Sequence, residues 1–193
     1  MIQRLLDAST QLFMEKGYDA TSMTEIASRA HASKETVYRH FAAKDELFRA
    51  VVLRRAEMVA QGMNAILDEH RPPEKALAVF GELILNRLTT KDSIAFHRVL
   101  GMARERFPDL LQLYRATGPF RMRSAMAAYL QQQIKLGRLR KMNAEVGARQ
   151  FFDLVAAEML MKAHVEGQSD PPKAAIRKRV KDAIDCFLHG YSK

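Results

Sequence analysis

The chain of 193 residues has few of the residue types on which several protein classes depend. It contains one cysteine, Cys186, and no tryptophan. A single cysteine excludes an internal disulfide and any zinc site built from several cysteines. The six histidines are scattered, and neither a His-Glu-x-x-His motif nor a glycine-rich phosphate loop occurs. We therefore predict no catalytic residues, no metal site and no cofactor, and we expect the protein not to be an enzyme.

Long apolar runs are also missing. No stretch of 18 consecutive apolar residues occurs, and the N-terminus carries no basic leader followed by an apolar segment. The composition, 48% hydrophobic and 27% charged, is ordinary for a globular protein. We expect a soluble, cytoplasmic protein that does not enter a membrane.

The positive charge is unevenly distributed. The formal net charge is +9, yet residues 1–50 hold seven Lys or Arg against seven Asp or Glu, a net charge of zero. Residues 101–150 hold ten against three, a net charge of +7. The basic isoelectric point alone is therefore a poor argument for nucleic-acid binding at the N-terminus.

Hydrophobic residues recur with helical spacing along the whole chain. This periodicity, together with the Gly and Pro positions, predicts an all-α protein. The predicted helices cover residues 2–16, 22–30, 34–40, 44–70, 74–89, 93–106, 109–117, 118–136, 143–165 and 173–189.

Residues 21–47 have the layout of a helix-turn-helix. Ser22 and Glu25 form the Ser-x-x-Glu pattern of a capping box, and Ser33 is an N-cap for a second short helix. Only Val37 and Phe41 in and after that second helix have core spacing, so its other side chains are left polar and outside. A short helix, a tight turn and a polar second helix are typical of a DNA-reading head, although two capped helices also occur in other all-helical proteins.

The same stretch resembles a known family. The residues Thr36-Val37-Tyr38-Arg39-His40-Phe41-x-x-Lys44-x-x-Leu47, with Gly17-Tyr18, Thr21-Ser22, Ile26-Ala27 and Ser33, are similar to the N-terminal signature of TetR-family bacterial regulators. The resemblance covers about residues 3 to 50. It implies a helix-turn-helix DNA-binding domain at 1–48 and a larger helical ligand-binding and dimerisation domain at 49–193.

The resemblance implies that the protein is a transcriptional repressor. Such a protein binds double-stranded operator DNA, an inverted repeat, as a homodimer at the bacterial nucleoid. A small apolar or amphipathic inducer releases it, and we expect the inducer to act by tilting the helix at 44–70. The alternative is a DNA-bound protein-interaction factor without an inducer, which a tightly packed interior would favour.

The resemblance also assigns DNA contacts by position. Lys34, Thr36 and Arg39 lie where relatives read base edges, and Glu35 could accept from cytosine N4 or simply face solvent. The positions that correspond to phosphate contacts are Tyr38, His40 and Lys44, with Ser22, Thr24 and Ser33 as further candidates near helix starts. His31 stands at the turn position that is usually glycine in the family, and histidine tolerates a left-handed conformation better than most residues.

The middle helices carry many methionine and aromatic side chains. Each one is more often core than ligand contact, but together they suit an adaptable cavity, where the resemblance implies an inducer site. The candidate lining residues are Phe96, His97, Met102, Arg104, Phe107, Phe120, Arg123, Met126 and Phe152.

The last two predicted helices bear an apolar stripe. It could cover the monomer core, but the resemblance implies a four-helix dimer interface there. The predicted interface residues are Val155, Met159, Ile176, Val180, Ile184 and Phe187.

Overall fold

A computed structural model of the protein describes residues 1–191, and the regular elements in that range are all helical. This confirms the predicted all-α fold. The helices are α1 (Ile2–Lys16), α2 (Met23–Arg29), α3 (Lys34–His40), α4 (Lys44–Ala60), α5 (Met63–Ile66), α6 (Pro73–Leu88), α7 (Lys91–Met102), α8 (Pro108–Arg115), a π-helical turn (Ala116–Phe120), α9 (Arg121–Lys135), α10 (Ala144–Val165) and α11 (Lys173–Tyr191).

Side-chain caps fix several of these boundaries where the sequence predicted them. Ser22 and Glu25 form both halves of the capping box, with Glu25 N donating to Ser22 Oγ and Ser22 N donating to Glu25 Oε2. Ser33 Oγ accepts from Thr36 N at the start of α3, and Asn143 Oδ1 accepts from two backbone amides at the start of α10. Each cap satisfies amides that have no partner within the helix, which holds the helix start in one place.

The predicted single helix at 44–70 is wrong. Helix α4 ends at Ala60, and Gly62 adopts a left-handed backbone with φ of 79° before the one-turn helix α5 begins. Glycine adopts positive φ without the Cβ clash of other residues, so Gln61-Gly62 can turn the chain where the apolar periodicity continues. Residues 44–70 therefore do not form the single continuous helix that we expected an inducer to tilt.

A second boundary also differs. We expected a helix to end before Gly118-Pro119 and a new one to start there. Instead α8 passes through the π-helical turn, which contains Pro119, directly into α9. At Gly118 an added Cβ would lie 2.7 Å from the carbonyl oxygen of Ala56 in α4, so only glycine permits this close approach.

Contacts divide the chain into two compact units. The first, which we call the head, contains residues 1–58 and 95–118, and the second contains residues 59–94 and the chain from residue 119 onward. Residues 95–118 therefore share the hydrophobic core of α1 to α4, to which they contribute Phe96, Phe107 and Leu110. The functional boundary that we placed after residue 48 stays a prediction, but the compact unit that contains the helix-turn-helix is larger than 1–48.

In the second unit, α6, α9, α10 and α11 enclose one apolar core. The Phe151 ring lies 6.3 Å from the Phe80 ring and 5.3 Å from the Phe187 ring, centroid to centroid. Helices α6 and α11 approach closely at Gly81, where an added Cβ would lie 2.9 Å from Val180 Cγ1.

This core corrects the predicted dimer interface. Four of the six residues assigned to it are buried within the chain itself, and Met159 and Ile184 are only partly buried. Side chains that already fill a monomer core cannot also pack against a second chain. The four buried residues are Val155, Ile176, Val180 and Phe187.

Candidate nucleic-acid interface

Helix α2 is anchored at its start by buried and exposed hydrogen bonds. The buried Thr21 donates through Oγ1 to the carbonyl oxygen of Gly17, 2.8 Å away, and the capping box follows at once. Hydrogen bonds from Lys16 and Ser22 lower the pKa of Glu25 to about 2, so this carboxylate stays ionised at neutral pH. Met23, Ile26 and Ala27 then bury the inner face of α2.

The turn between α2 and α3 has the conformation that the sequence predicted. His31 adopts φ of 50°, the left-handed region. Ala32 N donates to the carbonyl oxygen of Ala27, and the guanidinium of Arg4 donates to the carbonyl oxygens of Ala30 at 2.6 Å and His31 at 3.3 Å. Arg4 of α1 thus stabilises the turn through hydrogen bonds to the carbonyl oxygens of the turn residues. No sequence pattern indicates this role, because a single arginine on the polar side of a helix looks like any solvated charge.

Helix α3 is seven residues long and buries only Val37. This one core contact, with Phe41 just after the helix, attaches α3 to the head and leaves the rest of its surface outward. Thr36 is partly exposed, and its hydroxyl lies 2.8 Å from Ser33 Oγ. The exposed side chains are Lys34, Glu35, Tyr38, Arg39 and His40.

The charged groups on α3 interact only weakly with one another. Arg39 donates to Glu35 at 3.1 Å, one helical turn earlier, and both side chains are well exposed. An exposed pair of this kind contributes at most about 1 kcal/mol, so either partner can exchange it for another ligand. Lys34 Nζ lies 5.8 Å from the centre of the Tyr38 ring, which orients the ammonium along the outer face of the helix.

Half of the predicted DNA-contacting residues line a single concave surface. This concavity, of about 530 Å³, lies between the start of α2, the outer face of α3 and the start of α4. Its walls present hydroxyls, a phenol and ammonium groups, which are the groups that hydrogen-bond to phosphate oxygens. The predicted residues that line it are Ser22, Thr24, Lys34, Tyr38 and Lys44.

Lys44 is already engaged within the chain. Its Nζ donates to the carbonyl oxygens of Tyr18, Asp19 and Thr21 at 2.8, 3.2 and 2.8 Å, and lies 4.4 Å from the centre of the Tyr18 ring. An ammonium has three donors, so a phosphate would have to displace one of these bonds. Lys44 therefore fastens the α1–α2 connection to α4, and its predicted phosphate contact loses support.

The predicted ligand-lining residues are distributed over both units. Phe96 and Phe107 are in the core of the head, and His97 Nε2 lies 3.2 Å from the Tyr114 hydroxyl, which burial holds at a raised pKa. Met126 is buried and Phe152 partly buried in the second unit. Met102 and Phe120 are 77% and 64% exposed, Arg104 is exposed and Arg123 is partly exposed. The ligand-binding role of the set stays a prediction.

Residues 1–191 contain no group of three or more His, Cys, Asp or Glu side chains that could hold a metal ion. Over the same residues no helix is long and apolar enough to cross a membrane.

Two family models match the chain, and together they cover most of it. Residues 5–51 match the model described as "Bacterial regulatory proteins, tetR family", and residues 75–193 match the model described as "AefR-like transcriptional repressor, C-terminal domain".

Among solved structures, a TetR-family regulator from Mesorhizobium loti is 28% identical and superposes with a TM-score of 0.92 over 100% of this chain and 96% of that one. The flavonoid-responsive regulator FrrA is also 28% identical, with a TM-score of 0.75 over 99% and 96%. Among curated proteins, the transcriptional repressor ComR of Escherichia coli is 36% identical over 47% of this chain and 43% of its own length. The chain matches only 29% to 57% of the length of the first curated relatives.

Proposed function

The chain belongs to the TetR family of bacterial regulatory proteins, and we propose from this premise that it is a sequence-specific DNA-binding transcriptional repressor. The observation that carries the proposal is the surface of α3. A helix that buries one side chain and presents five polar ones, after a turn held by His31 and Arg4, has no packing role for its outer face. A recognition helix in the major groove uses such a face.

Base reading falls to Lys34, Thr36 and Arg39. Lys and Arg fit guanine O6 and N7, and the threonine methyl can contact a thymine methyl. Glu35 holds Arg39 in the free protein and can yield it to a base, because the pair is exposed and weak. Tyr38 and the hydroxyl of Thr24 face the concavity beside α3, where a phosphate would lie, and His40 follows on the exposed side.

The dimer proposed here uses surfaces that the monomer core leaves open. On α10, Leu154, Met161 and Val165 recur at helical spacing, with Met161 and Val165 exposed and Leu154 partly buried. Met159 and Ile184 remain from the predicted set, since both are only partly covered. Two copies joined through α10 and α11 would present two α3 helices to the halves of an inverted repeat.

Release by a small molecule is the remaining part of the proposal. FrrA, which shares this fold over nearly the whole chain, is by its name flavonoid-responsive. That relationship supports a planar, mostly apolar inducer. The rival is a DNA-bound protein-interaction factor in the bacterial cytoplasm that has no inducer at all.

The experiment is selection of genomic fragments on the purified protein, followed by affinity measurements on the recovered site. We expect an inverted repeat, whose specific binding is lost in Lys34→Ala and Arg39→Ala. Lys75→Ala, which removes an exposed charge from α6, is the matched control and should bind as the wild type does. Recovery of unrelated fragments with equal affinity would refute sequence-specific binding.

The salt dependence of binding gives a second, quantitative test. Each phosphate that a cation neutralises makes log K fall against log salt by a slope of about −0.9, so the wild-type slope counts the phosphate contacts of the dimer. Lys34→Ala, which removes a base-reading side chain, should weaken binding to the recovered site more than binding to unrelated DNA, whereas Lys44→Ala should lower the stability of the head and leave the slope unchanged.

A further inference from the structure

The junction between α7 and α8, residues 103–109, packs against the helix-turn-helix from within the head. Phe107 is 2% exposed, and its ring centre lies 5.2 Å from that of Tyr18 and 5.4 Å from that of Phe48. Arg49 of α4 covers the Phe107 ring at 5.4 Å and donates two hydrogen bonds to Asp109, at 2.6 and 3.1 Å. This segment is therefore fixed to α4 by an aromatic contact and a two-point ion pair.

Arg106 of the same segment also lies over the Phe107 ring, at 5.6 Å, and makes further contacts with the α1–α2 connection and α4. Its guanidinium lies 4.9 Å from the centre of the Tyr18 ring and 3.5 Å from the carboxylate of Asp45. It also lies 3.6 Å from the carboxylate of Asp19. The Tyr18 hydroxyl donates to Asp45, so Arg106, Asp45 and Tyr18 form a closed triangle.

Apart from Phe107, whose ring centre lies 5.6 Å away, the groups that Arg106 touches belong to elements that shape the DNA-facing concavity. Asp45 is in the first turn of α4, and Tyr18 and Asp19 are in the α1–α2 connection. The carbonyl oxygens of these two residues hold Lys44, and Asp19 and Lys44 line the concavity beside α3. A displacement of Arg106 therefore moves the residues that border the concavity, such as Asp19 and Lys44, and does not move α3 directly.

This inference rests on the proposed DNA binding. We propose that Arg106 is a positioning residue for DNA recognition, which acts through Asp45 and Tyr18 to hold the start of α4 and the α1–α2 connection in their DNA-binding arrangement. The 103–109 segment is thereby the place where a change elsewhere in α7 or α8 alters operator affinity.

The ion pair between Arg106 and Asp45 contributes little to the stability of the fold. The side chains of Arg106 and Asp45 are 56% and 46% exposed, and ion pairs at this exposure contribute little to stability. Truncating Arg106 removes one cation from the Phe107 ring but leaves the contacts of that ring with Tyr18, Phe48 and Arg49. Arg106→Ala should therefore be as folded as the wild type and differ in DNA binding.

The test compares Arg106→Ala with Arg115→Ala, which removes the same charge from an exposed position in the last turn of α8. We expect Arg106→Ala to lower operator affinity by about twofold to thirtyfold, the range observed for residues that modulate binding without touching the ligand. Arg115→Ala should keep the wild-type affinity. Arg106→Lys should recover most of the loss, because an ammonium can still pair with Asp45 and lie over Tyr18.

Two further measurements distinguish positioning from a direct phosphate contact. The slope of log K against log salt should be unchanged in Arg106→Ala, whereas a direct phosphate contact would make it shallower by about one per head. Asp45→Asn keeps an acceptor for the Tyr18 hydroxyl and removes the charge, so its loss of affinity should not add to that of Arg106→Ala in the double variant.

The proposal is overturned if Arg106→Ala binds the operator as the wild type does, if Arg115→Ala loses as much affinity, if the salt slope changes, or if the two losses add. A wild-type protein that selects no DNA site refutes the proposed function and this inference with it. A wild type that selects a site, beside an Arg106→Ala variant with unchanged affinity, refutes the inference alone.

Discussion

Phe107→Ala distinguishes a core residue of the head from a ligand contact. Phe107 was predicted to line an inducer cavity, but its ring is fully enclosed by Tyr18, Phe48 and the guanidinium of Arg49. Truncating a buried phenylalanine costs about 3–5 kcal/mol, because it removes buried apolar surface and leaves a cavity that closes only in part. In a chain of this length that loss lowers the unfolding temperature by about 6–20 °C.

Phe120→Ala is the matched control, since it makes the same change at a side chain that is 64% exposed. Its free energy of unfolding should stay within about 0.5 kcal/mol of the wild-type value. Urea unfolding followed by circular dichroism measures both variants, and equal m-values would show that stability alone has changed. If Phe107→Ala unfolds within about 1 kcal/mol of Phe120→Ala, Phe107 does not support the head as we describe.

Three further changes test individual contacts. Gly118→Ala should destabilise the protein by about 1–3 kcal/mol, because the new Cβ would clash with the carbonyl oxygen of Ala56. Gly101→Ala, which has open space around its Cβ, should leave the stability unchanged, and thermal unfolding measures both variants. Glu25 has its pKa lowered from 4.5 to about 2, so its contribution to stability is complete above pH 4.5 and is lost as the pH falls toward 2. Glu25→Gln should therefore show a shallower fall of unfolding temperature over that pH range. His31→Gly should raise the stability of the head by about 1 kcal/mol or less, since glycine adopts φ of 50° without a Cβ penalty, and a fall would contradict a strained turn.

The features that sequence predicted well are those decided by local chemistry. The capping box at Ser22, the cap at Ser33 and the left-handed turn at His31 each depend on residues within a few positions of one another. Such contacts form in the same way whatever the rest of the chain does. The outward face of α3 follows equally directly, because Val37 is its one buried residue.

The features that sequence missed depend on residues far apart in the chain. An apolar stripe indicates that a helix face is buried, but it does not show whether the same chain or a second copy packs against that face. The stripe of α11 packs within the same chain, and we had assigned it to a dimer interface. The core contacts of Phe107 were missed for the same reason, since its partners lie about ninety and sixty positions earlier. At Gly62 the error was local: one glycine in a helical pattern is tolerated in many helices and ends others.

The charges of residues 1–50 explain why a second copy matters to this head. Of the seven Lys and Arg side chains in residues 1–50, six are bonded to carboxylates or carbonyl oxygens, namely Arg4, Lys16, Arg29, Arg39, Lys44 and Arg49. Arg4 stabilises the turn and Lys44 stabilises the α1–α2 connection. If either side chain left these bonds to contact DNA, the helix-turn-helix would lose a contact that maintains its DNA-binding arrangement. Lys34, together with Arg39 once it leaves its exposed pair with Glu35, remains for the nucleic acid.

Residues 1–50 therefore supply little of the electrostatic affinity on which DNA binding usually depends, because each phosphate neutralised contributes one increment. A single helix-turn-helix segment of zero net charge would bind both specific and unrelated DNA weakly. Joining two heads makes the second contact intramolecular and multiplies the affinity for a site with two correctly spaced halves. The zero net charge of residues 1–50 thus becomes a source of selectivity, since a lone half-site binds the protein only weakly.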